Sequence, residues 1–317
     1  MFFGIGAVFG SFACCQAERM HLREEGKKLG KRSECLFCKH KLEWFELIPI
    51  FSWLFLRGRC RKCKKNIGKI ELVSEIMMGV IFGLILWFIL KQVGVFGGLR
   101  TGARFAGVMS LIGNFNVNEA MLLKMLINPV VVLRLLILLS SAVLFWILFV
   151  YDLKWQSLPT WILYALIGLG LVYFVLNELV SLGFIMQEKF GVGAAEMLKG
   201  KLKFAQQLGF LKRDILMLVG GLIILPGLYF VLYRFSKEKL VGGGDYLLTI
   251  SMALFLGRFE LALTLLCVAN LLALFWNTGK ILQKKETRIA FGPYLILGFW
   301  TVFMLGQEIL RYLYVAA

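Results

Sequence analysis

The sequence predicts an all-α polytopic membrane protein of about eight transmembrane helices, with a small cysteine-bearing domain between helices 1 and 2. Three observations predict it. Of 317 residues, 59% are hydrophobic and 17% charged, with only five prolines, and mean hydropathy is +0.78. Apolar runs recur at close to the ~20 residues that a helix needs to cross about 30 Å of hydrocarbon. Between the first two runs lies a basic segment that holds four of the seven cysteines.

The runs fall at 2–18, 73–91, 130–150, 159–182, 214–233, 246–257, 259–276 and 291–313. The first lacks the basic start of a signal peptide and no soluble mature domain follows it, so it is read as a retained helix. The sixth is short and is parted from the seventh only by Gly257-Arg258, which predicts a tight hairpin. Residues 92–129, with several glycines and asparagines, are expected to form an external loop with a short amphipathic helix at 119–127.

Residues 19–69 hold fifteen Lys or Arg. Cytoplasmic loops carry the excess of basic residues, so this segment is placed inside and the N-terminus outside. Eight spans then put 151–158, 234–245 and 277–290 on the cytoplasmic side. The last two carry Arg234, Lys237 and Lys239, then Lys280, Lys284, Lys285 and Arg288, in agreement. The segment 183–213 falls outside although it carries Lys189, Lys199, Lys201, Lys203, Lys212 and Arg213 beside Glu188, Glu196 and the adjoining Asp214. The net charge of +17 is not interleaved with aromatics for stacking on bases, so no nucleic acid is expected. The expected partner is membrane lipid, since an anionic cytoplasmic leaflet attracts each juxtamembrane Lys or Arg by about 1 kcal/mol.

Cys35 and Cys38, then Cys60 and Cys63, form two C-x2-C pairs separated by 21 residues. In a reducing compartment this spacing predicts a tetrahedral zinc site, and four thiolates leave no open position for water, so the zinc is structural. The stretch Leu42–Gly58 between the pairs is too apolar for a solvated loop and is expected to lie on the membrane surface or against the helices. Cys14, Cys15 and Cys267 sit in apolar runs, where cysteine acts as a small hydrophobe. The chain thus divides into a first transmembrane helix, 1–18, a cytoplasmic zinc-binding domain, 19–72, and a transmembrane catalytic domain, 73–317.

Two aspartates stand beside membrane-length runs: Asp152, in Tyr151-Asp-Leu-Lys-Trp-Gln-Ser-Leu-Pro159, and Asp245, in Gly242-Gly-Gly-Asp-Tyr-Leu-Leu248. A carboxylate beside hydrocarbon is costly unless it has a partner, a water-filled cavity or a function. The span count brings both to the same face. Two close carboxyls cannot both ionise cheaply, so they hold one shared proton. That is the state in which one activates water and the other polarises a scissile carbonyl. The pair therefore reads as an intramembrane aspartyl protease. Glycines 242–244 are expected to allow backbone conformations closed to other residues and to let a substrate strand approach. The loop lacks the Gly-Lys-Ser/Thr ending of a phosphate-binding loop. Taken singly, each aspartate could instead be a helix N-cap. The alternative for the whole chain is a membrane scaffold or transporter with a zinc-ribbon docking module, though a transporter should show repeat symmetry or helices broken at mid-membrane.

At these residues the chain resembles the bacterial prepilin peptidases, the type IV leader peptidase family of GxGD aspartyl proteases with a cysteine-rich zinc domain. The likeness rests on Gly10-Ser-Phe12, the segment Cys35–Cys63, Asp152 with Pro159, Gly242-Gly-Gly-Asp245 and Phe291-Gly-Pro293, in family order along nearly the whole chain. It implies catalysis by Asp152 and Asp245, and cleavage of the basic leader of type IV prepilins or pseudopilins at the cytoplasmic face of the inner membrane. Members with the cysteine domain are often bifunctional and methylate the new N-terminus with S-adenosylmethionine. Where the family usually shows Arg-Tyr-Pro-Leu-Val-Glu, this chain reads Ile70-Glu-Leu-Val-Ser-Glu75, which keeps the glutamate, so Glu75 is the candidate residue for that second site. Leu247 stands where a lysine is common. A basic leader would meet a basic face, and either anionic lipid or local carboxylates such as Glu43 and Glu46 are the candidates to receive it.

Overall fold

The computed structural model describes residues 2–27, 33–35, 37–92, 129–187, 197–236, 242–282 and 290–316. The expected helix at 119–127, the loop around it and residues 188–196 lie outside the described residues, as do Lys237, Lys239, Lys284, Lys285 and Arg288. Among the described residues there are nine α-helices: α1 (Phe2–Glu24), α2 (Phe51–Phe55), α3 (Ile70–Gln92), α4 (Pro129–Trp155), α5 (Thr160–Gln187), α6 (Met197–Ser236), α7 (Gly243–Leu256), α8 (Phe259–Leu282) and α9 (Gly292–Ala316). Each of the eight long ones carries one of the eight apolar runs, α6 extending from its run back to Met197 through the basic stretch, and the four cysteines lie between α1 and α3. The expected all-α membrane architecture is the one observed.

Among the described residues, six helices are long and apolar enough to cross a membrane: Ile70–Leu90, Pro129–Trp155, Thr160–Leu179, Leu211–Phe235, Phe259–Thr278 and Gly292–Tyr312. Large hydrophobics project outward along them, among them Trp161, Ile223 and Phe275, as helices bathed in lipid require. The other two differ for separate reasons. α1 carries Glu18, Arg19, Arg23 and Glu24 in its last two turns. α7 has 14 residues, so it rises about 21 Å at 1.5 Å per residue. That shortness is tolerable because α7 is internal: Leu248, Thr249 and every residue from Ser251 to Leu256 is buried, and the helix packs on α5 and α6. The expected hairpin follows it. Gly257 adopts φ 66° and donates its N–H to the Ala253 carbonyl at 2.9 Å, a left-handed cap that glycine adopts without strain, and α8 begins two residues later.

An aromatic cluster ties the bundle together. The Phe145 ring of α4 lies 4.9 Å from Phe299 of α9 and 6.1 Å from Phe255 of α7, and Phe255 lies 5.4 Å from Tyr173 of α5. The four helices that surround the two aspartates are thus locked by edge and tilted ring contacts, each contributing about 0.5–1.5 kcal/mol beyond area burial.

α1 packs against α3 by a different device. Gly6 and Gly10, four residues apart, let the two backbones touch. A Cβ on Gly6 would stand 2.8 Å from Gly79 Cα, and one on Gly10 would stand 2.8 Å from Glu75 Cα and press on the Ser74 carbonyl. Small residues at this spacing permit close helix approach in lipid. Gly10→Leu is expected to force the helices apart and to cost at least about 1–3 kcal/mol, as overpacking does. Thermal unfolding in detergent checks it, and a melting temperature equal to wild type would contradict the close packing.

Candidate active site

Asp152 lies in the last turn of α4 and Asp245 in the first turn of α7, so the alternation of α4 to α7 brings both to one end of the bundle. They are 5% and 8% exposed, and the two carboxyls interact electrostatically. Asp245 is not the N-cap of its helix. Gly242 holds that position, and Asp245 Oδ2 accepts the Gly242 N–H at 3.2 Å. Asp152 Oδ2 is buried with no hydrogen-bond partner among the described residues. Tyr229 of α6, 3% exposed, senses the charge of Asp245, and its ring lies 5.7 Å from Phe291.

The glycines near the aspartates act through size. None of Gly242, Gly243 and Gly244 has a positive φ, so the expected use of conformations closed to other residues is not what the structure contains. A Cβ on Gly244 would stand 2.7 Å from Leu158 Cβ. Leu158 belongs to the turn after Asp152, which leaves α4 through Gln156 at φ 52° and enters α5 after Pro159. Gly244 therefore lets the two aspartate-bearing segments touch. Gly292 plays the same part on the other side, because a Cβ there would stand 2.7 Å from Asp152 Oδ2, and its backbone N–H faces the Asp152 carboxyl. Pro293 follows at the start of α9, where a missing N–H costs nothing. The Phe291-Gly-Pro293 motif was visible in the sequence, but nothing in its local pattern announced that Asp152 lies against it.

The four cysteines meet as expected. Each pair forms a knuckle of the same construction. Lys39 donates its N–H to the Cys35 carbonyl at 2.9 Å, and Cys35 donates to the His40 carbonyl at 2.8 Å; Lys64 to Cys60 and Cys60 to Lys65 repeat this at 2.9 Å each. Lys39 and Lys64 turn the chain at φ 57° and 59°, and isolated bridges, Glu34 with Lys41 and Arg59 with Asn66, close the two turns. All four sulfurs lie within 4.8 Å of one another, with Cys35 to Cys63 and Cys38 to Cys60 both at 3.9 Å. Backbone N–H groups of Cys63 and Lys62 aimed at the Cys60 sulfur lower its thiol, while burial and the neighbouring sulfurs raise that of Cys63, so the first thiolate of the cluster forms at Cys60. The cluster can hold a metal ion.

Glu75 is buried and hydrogen-bonded. It is 5% exposed in the second turn of α3, accepts the Ile50 N–H at 2.7 Å and hydrogen-bonds Ser11. Gly10-Ser-Phe12 is thereby explained: Gly10 admits the α3 backbone and Ser11 binds the carboxylate next to it. Ile50 sits at φ 64°, ψ −53°, in a γ-turn closed by the Phe51 N–H on the Pro49 carbonyl at 2.6 Å. That conformation is strained for a β-branched residue, and such strain gathers at functional sites. Beside it opens a cavity of about 400 Å³ between α1, α3 and the cysteine domain, lined by Glu18, Glu71, Glu75, Cys15 and Trp53 among others. Glu46 also borders it but is unavailable to a leader peptide: its carboxylate accepts the Glu43 N–H at 2.9 Å and faces His40 at 3.5 Å inside the domain. Glu43 lies at the surface, 3.8 Å from Arg61.

Residues 5–89 match the family model of the bacterial peptidase A24 N-terminal domain. The chain is 25% identical, over 89% of its length and 74% of the relative's, to a prepilin leader peptidase/N-methyltransferase of Aeromonas hydrophila. It is 24% identical to the protein of that name in Stutzerimonas stutzeri, over 87% of this chain and 73% of that one, and 22% identical to that of Vibrio cholerae, over 86% and 80%. No solved structure matches. The resemblance to bacterial prepilin peptidases thus holds over most of the chain.

The contact between Gly244 and Leu158 yields a structural test. Gly244→Ala is expected to destabilise the protein by about 1–3 kcal/mol through overpacking, and the double change Gly244→Ala/Leu158→Gly, which removes the opposing Cβ, is expected to recover part of that loss. Additive losses in thermal unfolding of the detergent-solubilised protein would show that the two residues do not share this contact.

Proposed function

We propose that this chain is a membrane-embedded aspartyl endopeptidase that removes the basic leader of type IV prepilins or pseudopilins, with Asp152 and Asp245 as the catalytic pair working at the cytoplasmic face of the inner membrane. The observation that carries this reading is two interacting carboxyls, buried at one end of an apolar bundle, each flush against a glycine that leaves room beside it. A pair that shares one proton has both forms that hydrolysis needs. The ionised carboxyl takes a proton from water, whose oxygen attacks the scissile carbonyl. The protonated one donates to the developing oxyanion, and collapse of the tetrahedral intermediate breaks the C–N bond as the leaving amine takes up a proton. No covalent enzyme intermediate is needed.

A second activity, methylation of the new N-terminal amine, is supported by the names of the relatives and by the cavity beside Glu75. Glu18, Glu71 and Glu75 line it, and Glu71 Oε2 is buried without a partner among the described residues. Buried carboxylates suit cationic ligands, and both the sulfonium of S-adenosylmethionine and a protonated pilin amine are cations. When bound, S-adenosylmethionine supplies the methyl group; Glu75, held by Ile50 and Ser11, orients the amine and accepts its proton.

Zinc is the metal we assign to the cysteine cluster. Four thiolates at Zn–S distances of about 2.3 Å in a tetrahedron have edges of about 3.8 Å, and the 3.9 Å sulfur separations match. With four thiolates the site is closed, so the ion shapes the wall of the cavity and takes no part in chemistry.

Co-expression with a prepilin from the same genome tests these readings by mass spectrometry of the product. Asp152→Asn and Asp245→Asn are each expected to lower cleavage by roughly 10³-fold, the scale of general acid–base catalysis, while the protein still inserts. Cleavage near the wild-type rate in either would end the dyad mechanism, and a substrate left uncut by wild type would favour the scaffold or transporter. Glu75→Gln is expected to cut normally and to leave the new N-terminus unmethylated; a methylated product would remove Glu75 from that site. Metal analysis is expected to find one zinc per chain, and Cys38→Ser to lose it.

A further inference from the structure

The turn that carries Asp152 is clamped from outside the peptidase half of the chain. Successive turns of the far end of α1 grip the last turn of α4. Glu18 pairs with Lys154, His21 stacks on Trp155 with ring centroids 4.2 Å apart, and Glu24 accepts the Tyr151 hydroxyl. Tyr151 is 1% exposed, and its ring lies 4.7 Å from Trp155. On an α-helix each residue advances about 100°, so Tyr151, Lys154 and Trp155 form one face and Asp152 points away from it, toward Gly292. Nothing in hydrolysis by two carboxyls requires Tyr151, Lys154 or the α1 carboxylates, yet three adjacent contacts converge on the residues flanking the aspartate.

Resting on the peptidase reading, we propose that Glu18, His21 and Glu24 of α1, acting through Lys154, Trp155 and Tyr151, are positioning residues that set the rotation of the α4 terminus and hence the place of Asp152 opposite Asp245. The α4 terminus is capped by its own backbone, since the left-handed Gln156 donates its N–H to the Asp152 carbonyl at 2.9 Å. That bond closes the last turn but makes no contact with another helix, so the place of this turn against its neighbours is set by side chains. A misplacement of about 1 Å in a catalytic group can lower a rate by about 10²-fold. The clamp also joins the two halves of the chain, because Glu18 both lines the cavity beside Glu75 and pairs with Lys154.

The test is cleavage kinetics of the full-length enzyme in detergent with a purified prepilin. Tyr151→Phe and Glu24→Leu are each expected to lower kcat about tenfold with KM unchanged, and the double variant is expected to be no slower than the slower single variant, since both remove the bond between these two residues. Lys154→Arg should keep near wild-type kcat where Lys154→Met loses it. A kcat within twofold of wild type in both single variants, losses that multiply, or a change confined to KM would overturn the proposal. If wild-type enzyme leaves the prepilin uncut, the peptidase reading fails, and amide hydrogen exchange then judges the clamp. Exchange at 152–158 should quicken about tenfold in Glu24→Leu at unchanged melting temperature, and an unchanged rate there would refute it.

Discussion

Two carboxyls held 5% and 8% exposed at the end of an apolar bundle are costly, because a charge moved from water into a medium of low dielectric loses its solvation. The surrounding structure serves that placement. Asp245 is held by the Gly242 N–H at the start of a helix, where the aligned peptide dipoles favour a carboxylate. Asp152 faces the start of α9 through Gly292. The aromatic contacts among Phe145, Phe255 and Phe299 hold α4, α7 and α9 in register behind the pair. A short α7, unable to span on its own, is admissible only because other helices cover it.

Glycine does the same work in three places, by removing a Cβ where two segments meet. Gly10 brings α1 onto α3 beside Glu75, Gly244 brings the α7 start onto the turn after Asp152, and Gly292 brings α9 onto Asp152 itself. In lipid, where burial of apolar surface gains little, such close backbone contact is a main source of helix association. Each of the motifs Gly10-Ser-Phe12, Gly242-Gly-Gly-Asp245 and Phe291-Gly-Pro293 is then a packing requirement adjoining a buried carboxylate.

The cysteine domain is joined to the membrane helices more closely than a docking module would be. Its strained turn at Ile50 rests on Glu75 of α3, and Trp53 donates its indole N–H to the Gly68 carbonyl at 2.8 Å, just before α3 starts. The Leu42–Gly58 stretch is divided accordingly. Trp53 faces inward, lining the cavity, whereas Trp44, Phe51 and Phe55 are 77%, 61% and 84% exposed, the apolar outer face expected of a segment at a membrane surface.

The sequence by itself determined the eight helices, the hairpin at Gly257, the grouping of Cys35, Cys38, Cys60 and Cys63, and the same-side placement of Asp152 and Asp245. Each of these follows from local signals: apolar length, a short metal-ligand spacing, and the parity of the span count. What only the tertiary structure decided is why Gly244 and Gly292 must be glycine, that Glu75 is buried and bonded to Ile50 and Ser11, and that Tyr151 reaches Glu24 across 127 residues of chain. Those contacts join segments far apart in sequence, and whether two backbones approach closely enough to exclude a Cβ depends on how the helices cross, which no run or period along the chain encodes.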